Sequence, residues 1–245
     1  MKIFNKTIAL LVFFTGFLFF TSSCSKDEKT PDPVYTCLTC KTTPEALAVN
    51  DVSVKGIYKG IVVGSTGTIA INIQNGSNTI TATMVLDGVS VALTSNVSIV
   101  DGQSYVAPFT GTFNGSPITM TFSVGLGGST PVIVSSSIPG HPNAVFNLYK
   151  ETSTSLIEAF EGTYSKTGES GTFNILLSKG IGKWGGIVKK GTDSVTGEIK
   201  GTYSTSNQII DENGTVVGVV AGDVLHGSFL DGNNNTVTTN GHRTL

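Results

Sequence analysis

From about residue 52 to the C-terminus the apolar residues recur at every second position, a period that leaves the backbone little choice. Ile69, Ile71 and Ile73 alternate with Ala70 and Asn72. Ile118, Met120, Phe122 and Val124 alternate with Thr119, Thr121 and Ser123. Val195, Gly197, Ile199, Gly201 and Tyr203 alternate with Thr196, Glu198, Lys200 and Thr202. Successive side chains on a strand point to opposite faces, so each run has one buried face and one wet one. Thr suits the wet face because its β-branch restricts χ1. Asn-Gly or Asp-Gly pairs stand at Asn75-Gly76, Asp87-Gly88, Asp101-Gly102, Asn114-Gly115, Asn213-Gly214 and Asp231-Gly232. These residue types tolerate the positive φ of type I′ hairpins. Closely spaced hairpins predict an antiparallel meander. The only helical candidate is residues 153–160, Ser-Thr-Ser-Leu-Ile-Glu-Ala-Phe, a turn or two of linker.

That linker separates two related halves. Lys55-Gly56-Ile57-Tyr58 matches Glu161-Gly162-Thr163-Tyr164. Gly64-Ser65-Thr66-Gly67-Thr68-Ile69 matches Gly168-Glu169-Ser170-Gly171-Thr172-Phe173, and Phe109-Thr110-Gly111-Thr112-Phe113 echoes Leu225-His226-Gly227-Ser228-Phe229. Two copies of roughly a hundred residues indicate a duplicated domain, since solenoid units are shorter. The expected fold is all-β: duplicated antiparallel β-meander units, each a small barrel or sandwich. The first unit covers residues 52–152 and the second 153–245.

The N-terminus reads as an address. Lys2 and Lys6 precede a 13-residue apolar run from Ile8 to Phe20, which ends in Thr21-Ser22-Ser23-Cys24. Spanning a bilayer takes about 20 helical residues, so a run this short behind lysines is a secretory signal. The run of small residues into a Cys resembles the bacterial lipoprotein signal, residues 1–23. In that family Cys24 is acylated and becomes the first mature residue. The following Cys24-Ser25-Lys26-Asp27-Glu28 is similar to the acidic export tag of Bacteroidota lipoproteins, which implies the outer membrane and its cell-surface face, with the periplasmic face as the alternative. Loss of the signal leaves 13 basic and 17 acidic residues. An acidic body does not adhere to an anionic membrane by charge, so the lipid anchor would be its membrane partner. Residues 24–51 are expected to form a lipidated tether that carries the Cys-x-x-Cys.

In that motif, Cys37-Leu38-Thr39-Cys40, a disulfide is the default in an oxidising compartment; free thiols or a functional pair are the alternatives. Haem attachment needs His after the second Cys, and Lys41 stands there. Zinc needs further ligands, and the chain has no other unassigned Cys and only His141, His226 and His242.

The second half also resembles small meander barrels of the avidin and lipocalin kind. The resemblance rests on Gly162-Thr163-Tyr164, residues 168–173 and Thr196-Gly197-Glu198-Ile199-Lys200-Gly201-Thr202-Tyr203. It implies architecture and carries over no binding residue, because Tyr164 stands where avidins have Trp.

Charged residues make up 13% of the chain and the formal net charge is −2, which argues against nucleic acid as a partner. No Gly-x-Ser-x-Gly elbow stands between a strand and a helix, and most acids of the body fall in turns or on wet strand faces. No catalytic residue, metal site or cofactor is assigned. The most unusual segment is residues 179–190, where four of the 15 basic residues gather around Trp184, the only Trp. One reading is a stacking platform with Lys183 beside it, and Tyr164 and Tyr58 as related aromatics of the two copies. The other is a lysine-guarded edge strand with Trp184 in the core. The expected function is a non-enzymatic surface binding or accessory module for a glycan or small apolar ligand. The alternatives are a structural or adhesive envelope component, and a hydrolase whose residues converge only in the fold.

Overall fold

The computed structural model describes residues 35–63, 67–191 and 196–245. The signal segment, Cys24 and the chain up to Val34 lie outside the described residues, so the lipidation expected at Cys24 is outside them too.

Among the described residues, sixteen strands form two antiparallel sheets of eight. The first holds β1 (Gly56–Val63), β2 (Gly67–Ile73), β3 (Ile80–Leu86), β4 (Val89–Thr94), β5 (Tyr105–Phe113), β6 (Ser116–Val124), β7 (Val132–Ser137) and β8 (Val145–Glu151). The second holds β9 (Ile157–Lys166), β10 (Glu169–Ser178), β11 (Lys183–Lys190), β12 (Thr196–Tyr203), β13 (Gln208–Asp211), β14 (Val216–Ala221), β15 (Val224–Leu230) and β16 (Thr236–Arg243). Each sheet is a meander in which the first strand pairs with both the second and the last: β1 with β2 and β8, β9 with β10 and β16. The second sheet closes completely. The first does not, because β7 and β8 are its two edges. The chain is thus all-β, built from two meanders of one strand order.

The repeats quoted from the sequence divide here. The first two matches fall on equivalent strands, β1 with β9 and β2 with β10. The third joins β5, fifth in its sheet, to β15, seventh in its own. Both strands place an inward Gly between inward apolar residues, so a shared pleat, not a shared position, explains that echo. Among the turns, Asp87-Gly88 and Asn114-Gly115 take positive φ at both residues, joining β3 to β4 and β5 to β6 as two-residue hairpins.

Residues 153–160 are not helical. An isolated bridge between Thr152 and Ser155 closes a turn, and β9 begins at Ile157. Its first four residues are all buried, because one face enters the barrel and the other meets the first sheet. A strand buried on both faces loses its alternation and reads like a short helix. β1 behaves the same way, with all eight residues buried. Ile61 and Val63 on its outer face pack with Ile157, Ala159, Leu176 and Ile187 of the second sheet. Within this join Lys59 lies 2.8 Å from Glu151 and 3.3 Å from Glu45. Glu151 is fully buried, and its carboxylate also accepts the backbone N–H groups of Glu45, Ala46 and Ile157.

The tether expected over residues 24–51 does not extend to its C-terminal part, since the chain from Tyr35 belongs to the same compact unit as the sheets. The Tyr35 hydroxyl donates to the Arg243 carbonyl at 2.8 Å, and the Cys37 N–H donates to Asp223 at 2.9 Å. Cys37 and Cys40 are joined in a disulfide. Polar composition suggested a solvated linker, but the polar groups here are matched by partners on distant strands.

Candidate functional site

The interior of the second sheet is hollow. Along each barrel strand alternate residues face inward, and many of them are glycine: Gly162, Gly171, Gly186, Gly201, Gly227 and Gly241. Large rings lie over the gaps these leave. A Cβ at Gly162 or Gly241 would come within 2.6 or 2.7 Å of the Phe173 ring. One at Gly171 would meet Tyr164 at 2.5 Å, and one at Gly201 would meet the Trp184 indole nitrogen at 2.8 Å. The aromatics are therefore laid against the wall where a Cβ is missing, and the lumen is left open.

What remains is a cavity of about 420 Å³, within the ordinary range of small-molecule sites. Its inner wall is apolar: Phe173, Ile175, Trp184, Val188, Ile199, Ile209, Val217, Leu225, Phe229 and Val237. Its rim is charged, with Lys166, Glu169, Glu198, Lys200, Asp211 and Glu212. The far end of the barrel is sealed by the inward pair Glu158 and Arg243, 2.9 Å apart, with Asp223 3.5 Å from the same guanidinium nitrogen. Lys179 lies 2.8 Å from the second Glu158 oxygen, an ion pair that lacks hydrogen-bond alignment. A second hollow of about 380 Å³ lies at one end of the first sheet, lined mainly by polar residues of segments 74–81 and 94–98.

Two carboxylates, Glu169 at the rim and Asp231 beside Lys166, are held as anions. Hydrogen bonding from Lys190 lowers the Glu169 pKa, aided by the Tyr164 hydroxyl at 3.1 Å. The backbone N–H of Asn235 is the largest influence on Asp231, which sits at about 2; the ammonium of Lys166, 3.1 Å away, adds to it. A general acid needs the opposite shift. Among the described residues no group of three or more His, Cys, Asp or Glu is placed to hold a metal.

The four candidate residues separate. Trp184 faces inward on β11 at 4% exposure, and its indole N–H donates to the Ile210 carbonyl at 2.9 Å. Tyr164 faces inward on β9 at the rim. Lys183 precedes Trp184 on the same strand, so it points outward into solvent. Tyr58 is fully buried inside the first sheet, with its hydroxyl donating to the Val54 carbonyl at 2.8 Å. Two of the four therefore share the cavity and two do not. The apolar wall of Phe173, Ile209 and Leu225 was missed. Its signal was the inward run Gly197-x-Ile199-x-Gly201-x-Tyr203, in which small residues take positions that a filled barrel gives to large ones.

No family model, no curated protein and no solved structure matches this chain.

Proposed function

We propose that this protein is a non-enzymatic envelope lipoprotein, anchored through Cys24 in the outer membrane, whose second barrel binds a small apolar ligand. The observation that carries the binding part is the hollow lumen of β9–β16, with its aromatic and aliphatic wall. An apolar surface of this kind stays poorly solvated when empty and gains from burying hydrocarbon. A small apolar ligand suits the cavity better than a glycan, because Trp184 is recessed in the wall and offers no exposed ring for stacking. The sequence supports the anchoring part through its signal-like N-terminus and Cys24. The filled interior of the first sheet suits a structural role for that half, a spacer or platform beside the binding barrel.

Titration with N-phenyl-1-naphthylamine, a neutral apolar dye, tests the binding part. Trp184 is the only Trp, so its emission reports the cavity directly. Saturable one-to-one quenching of Trp184 with dye enhancement is expected, and both should be lost in Val188→Phe, which projects a ring into the lumen. Dye binding that survives Val188→Phe would place it elsewhere and contradict the reading. For the anchor, Cys24→Ala should abolish palmitate labelling and move the protein from the membrane to the soluble fraction. Unchanged labelling would refute lipidation at Cys24.

A further inference from the structure

The first sheet is built from a stretch with almost no charge. Between Gly60 and Tyr149 there is no Lys or Arg, and the acids are Asp87 and Asp101 alone; all 15 basic residues lie outside it. The hollow of about 380 Å³ at one end of that sheet belongs to this stretch. It forms between the β2–β3 connection, residues 74–79, and the segment after β4, residues 95–98. No lining residue is charged, and only Ile80 and Val97 are apolar. The rest carry amides and hydroxyls. Ser77 and Thr79 bond each other, but among the described residues the side chains of Gln74, Asn78, Thr81, Thr94, Asn96 and Ser98 make no hydrogen bond within the protein.

A row of the same chemistry leads away from the hollow. Strand register aligns Asn72, Thr81, Thr94, Thr110, Thr119 and Ser137 across β2 to β7. Their neighbours Ile71, Ala82, Leu93, Phe109 and Ile118 are buried in the core, so the row lies on the outer face. Adjacent strands place one hydroxyl about every 4.8 Å along it, close to the length of one pyranose unit in an extended sugar chain. Thr81 and Thr94 belong both to the row and to the hollow.

We propose that this hollow is a second binding site, for a neutral saccharide, with one end of the sugar chain in the hollow and further units along the threonine row. The site is separate from the barrel and independent of the ligand proposed there. An ionised ligand would lose water without meeting a counter-charge in the wall. An apolar ligand would strip water from amides and hydroxyls and return no partner. A sugar hydroxyl donates and accepts, as Thr, Ser, Asn and Gln side chains together do, so each contact replaces water by an equivalent partner. Single bonds of this kind contribute little, and affinity therefore grows with the number of sugar units.

The test titrates the intact mature protein with neutral oligosaccharides from α-glucan, β-glucan, mannan and xylan, each as dimer and hexamer. Hexamers of galacturonate and glucosamine serve as charged controls, with calorimetry and backbone amide shifts as readouts. At least one neutral hexamer should bind saturably, with shifts at Thr81, Thr94 and Asn96, severalfold more tightly than its dimer and without dependence on salt. Thr94→Val/Asn96→Ala should weaken both lengths at least about fivefold. Thr110→Val/Thr119→Val should remove only the gain from dimer to hexamer. All four positions are exposed, and Val keeps the β-branch of Thr, so the unfolding midpoint should not move. Binding of N-phenyl-1-naphthylamine should be unchanged in both variants, which separates this site from the barrel. No binding by any neutral sugar, tighter binding of a charged hexamer, or an affinity unaltered by Thr94→Val/Asn96→Ala overturns the proposal and leaves the reading of the barrel standing.

Discussion

In the first sheet Ile69, Ile71, Ile73 and Met84 meet Phe109, Phe122 and Tyr58, all essentially without solvent exposure. In the barrel the same inward register is occupied in large part by glycines, and Phe173, Tyr164 and Trp184 are spread over them against the wall. Gly56, Gly60, Gly67 and Gly111 take inward positions in the first sheet, and over Gly60 and Gly111 the side chains of Ile69, Leu148 and Leu93 close. One strand order therefore supports two interiors, one filled and one hollow. Closure differs as well: the filled meander tolerates an open seam between β7 and β8, while the hollow one is sealed all round except beside β13. A sheet with a complete core can leave an edge open. A barrel with little side chain inside depends more on its continuous hydrogen-bonded wall.

Truncation should expose this contrast most strongly. Phe122→Ala removes a fully buried ring from the filled sheet and should cost about 3–5 kcal/mol in denaturant unfolding. Phe229→Ala, at a half-buried position of the apolar cavity wall, should cost about 1 kcal/mol or less. Equal losses would mean the barrel is packed as tightly as the sheet.

The join between the halves can be broken in the same way. Glu151→Ala leaves Lys59 buried beside only the half-exposed Glu45 and orphans three N–H groups. A loss of about 3–5 kcal/mol is expected. Unfolding should then separate into two transitions, with Trp184 emission following the barrel and far-ultraviolet circular dichroism following both halves. Retention of one unsplit transition would show that the halves are coupled by more than this join.

Enlarging residues reverses the direction of the test. Ala107→Leu overpacks the filled sheet and should destabilise by about 1–3 kcal/mol. Val188→Phe enters the lumen and should change stability by less than about 1 kcal/mol while abolishing dye binding.

The smallest effect is a pH dependence confined to the first sheet. The Lys150 ammonium donates to the Ser53 and Lys55 carbonyls at 2.5 and 2.7 Å and lies over the Tyr58 ring. Burial pulls its pKa down to about 8, against partial support from Asp51. The folded value lies below the unfolded one, so the unfolded chain holds more protons between about pH 8 and 10. Stability should therefore rise over that window, and the penalty should be fully present below it. The rise in melting temperature should disappear in Lys150→Met, whereas Lys183→Met, at an exposed position, should keep it.

Much of the fold was legible because period-two patterning and Asx-Gly turns act locally. Ile118 to Val124 and the Asp87-Gly88 hairpin needed no tertiary information. The segment at 157–160 was not legible, because burial on both faces erases alternation, and docking by Asp223 and Glu151 across long sequence separations turned an expected tether into part of the body. The candidate site was half legible. Trp184 and Tyr164 stood out by type, but whether an aromatic fills a core or lines a void depends on the residue across the sheet. Tyr58 and Tyr164 occupy matching motifs, yet one is packed among Ile and Phe and the other stands at an opening.

Backbone amide shifts recorded during titration with N-phenyl-1-naphthylamine test the central contrast most directly. The account predicts saturable shifts at inward positions of β9–β16, largest around Trp184, Ile199 and Asp211, with the amides inside β1–β8 unmoved. Shifts spread equally through the interior of the first sheet, or confined to it, would contradict a filled first meander and a hollow second one.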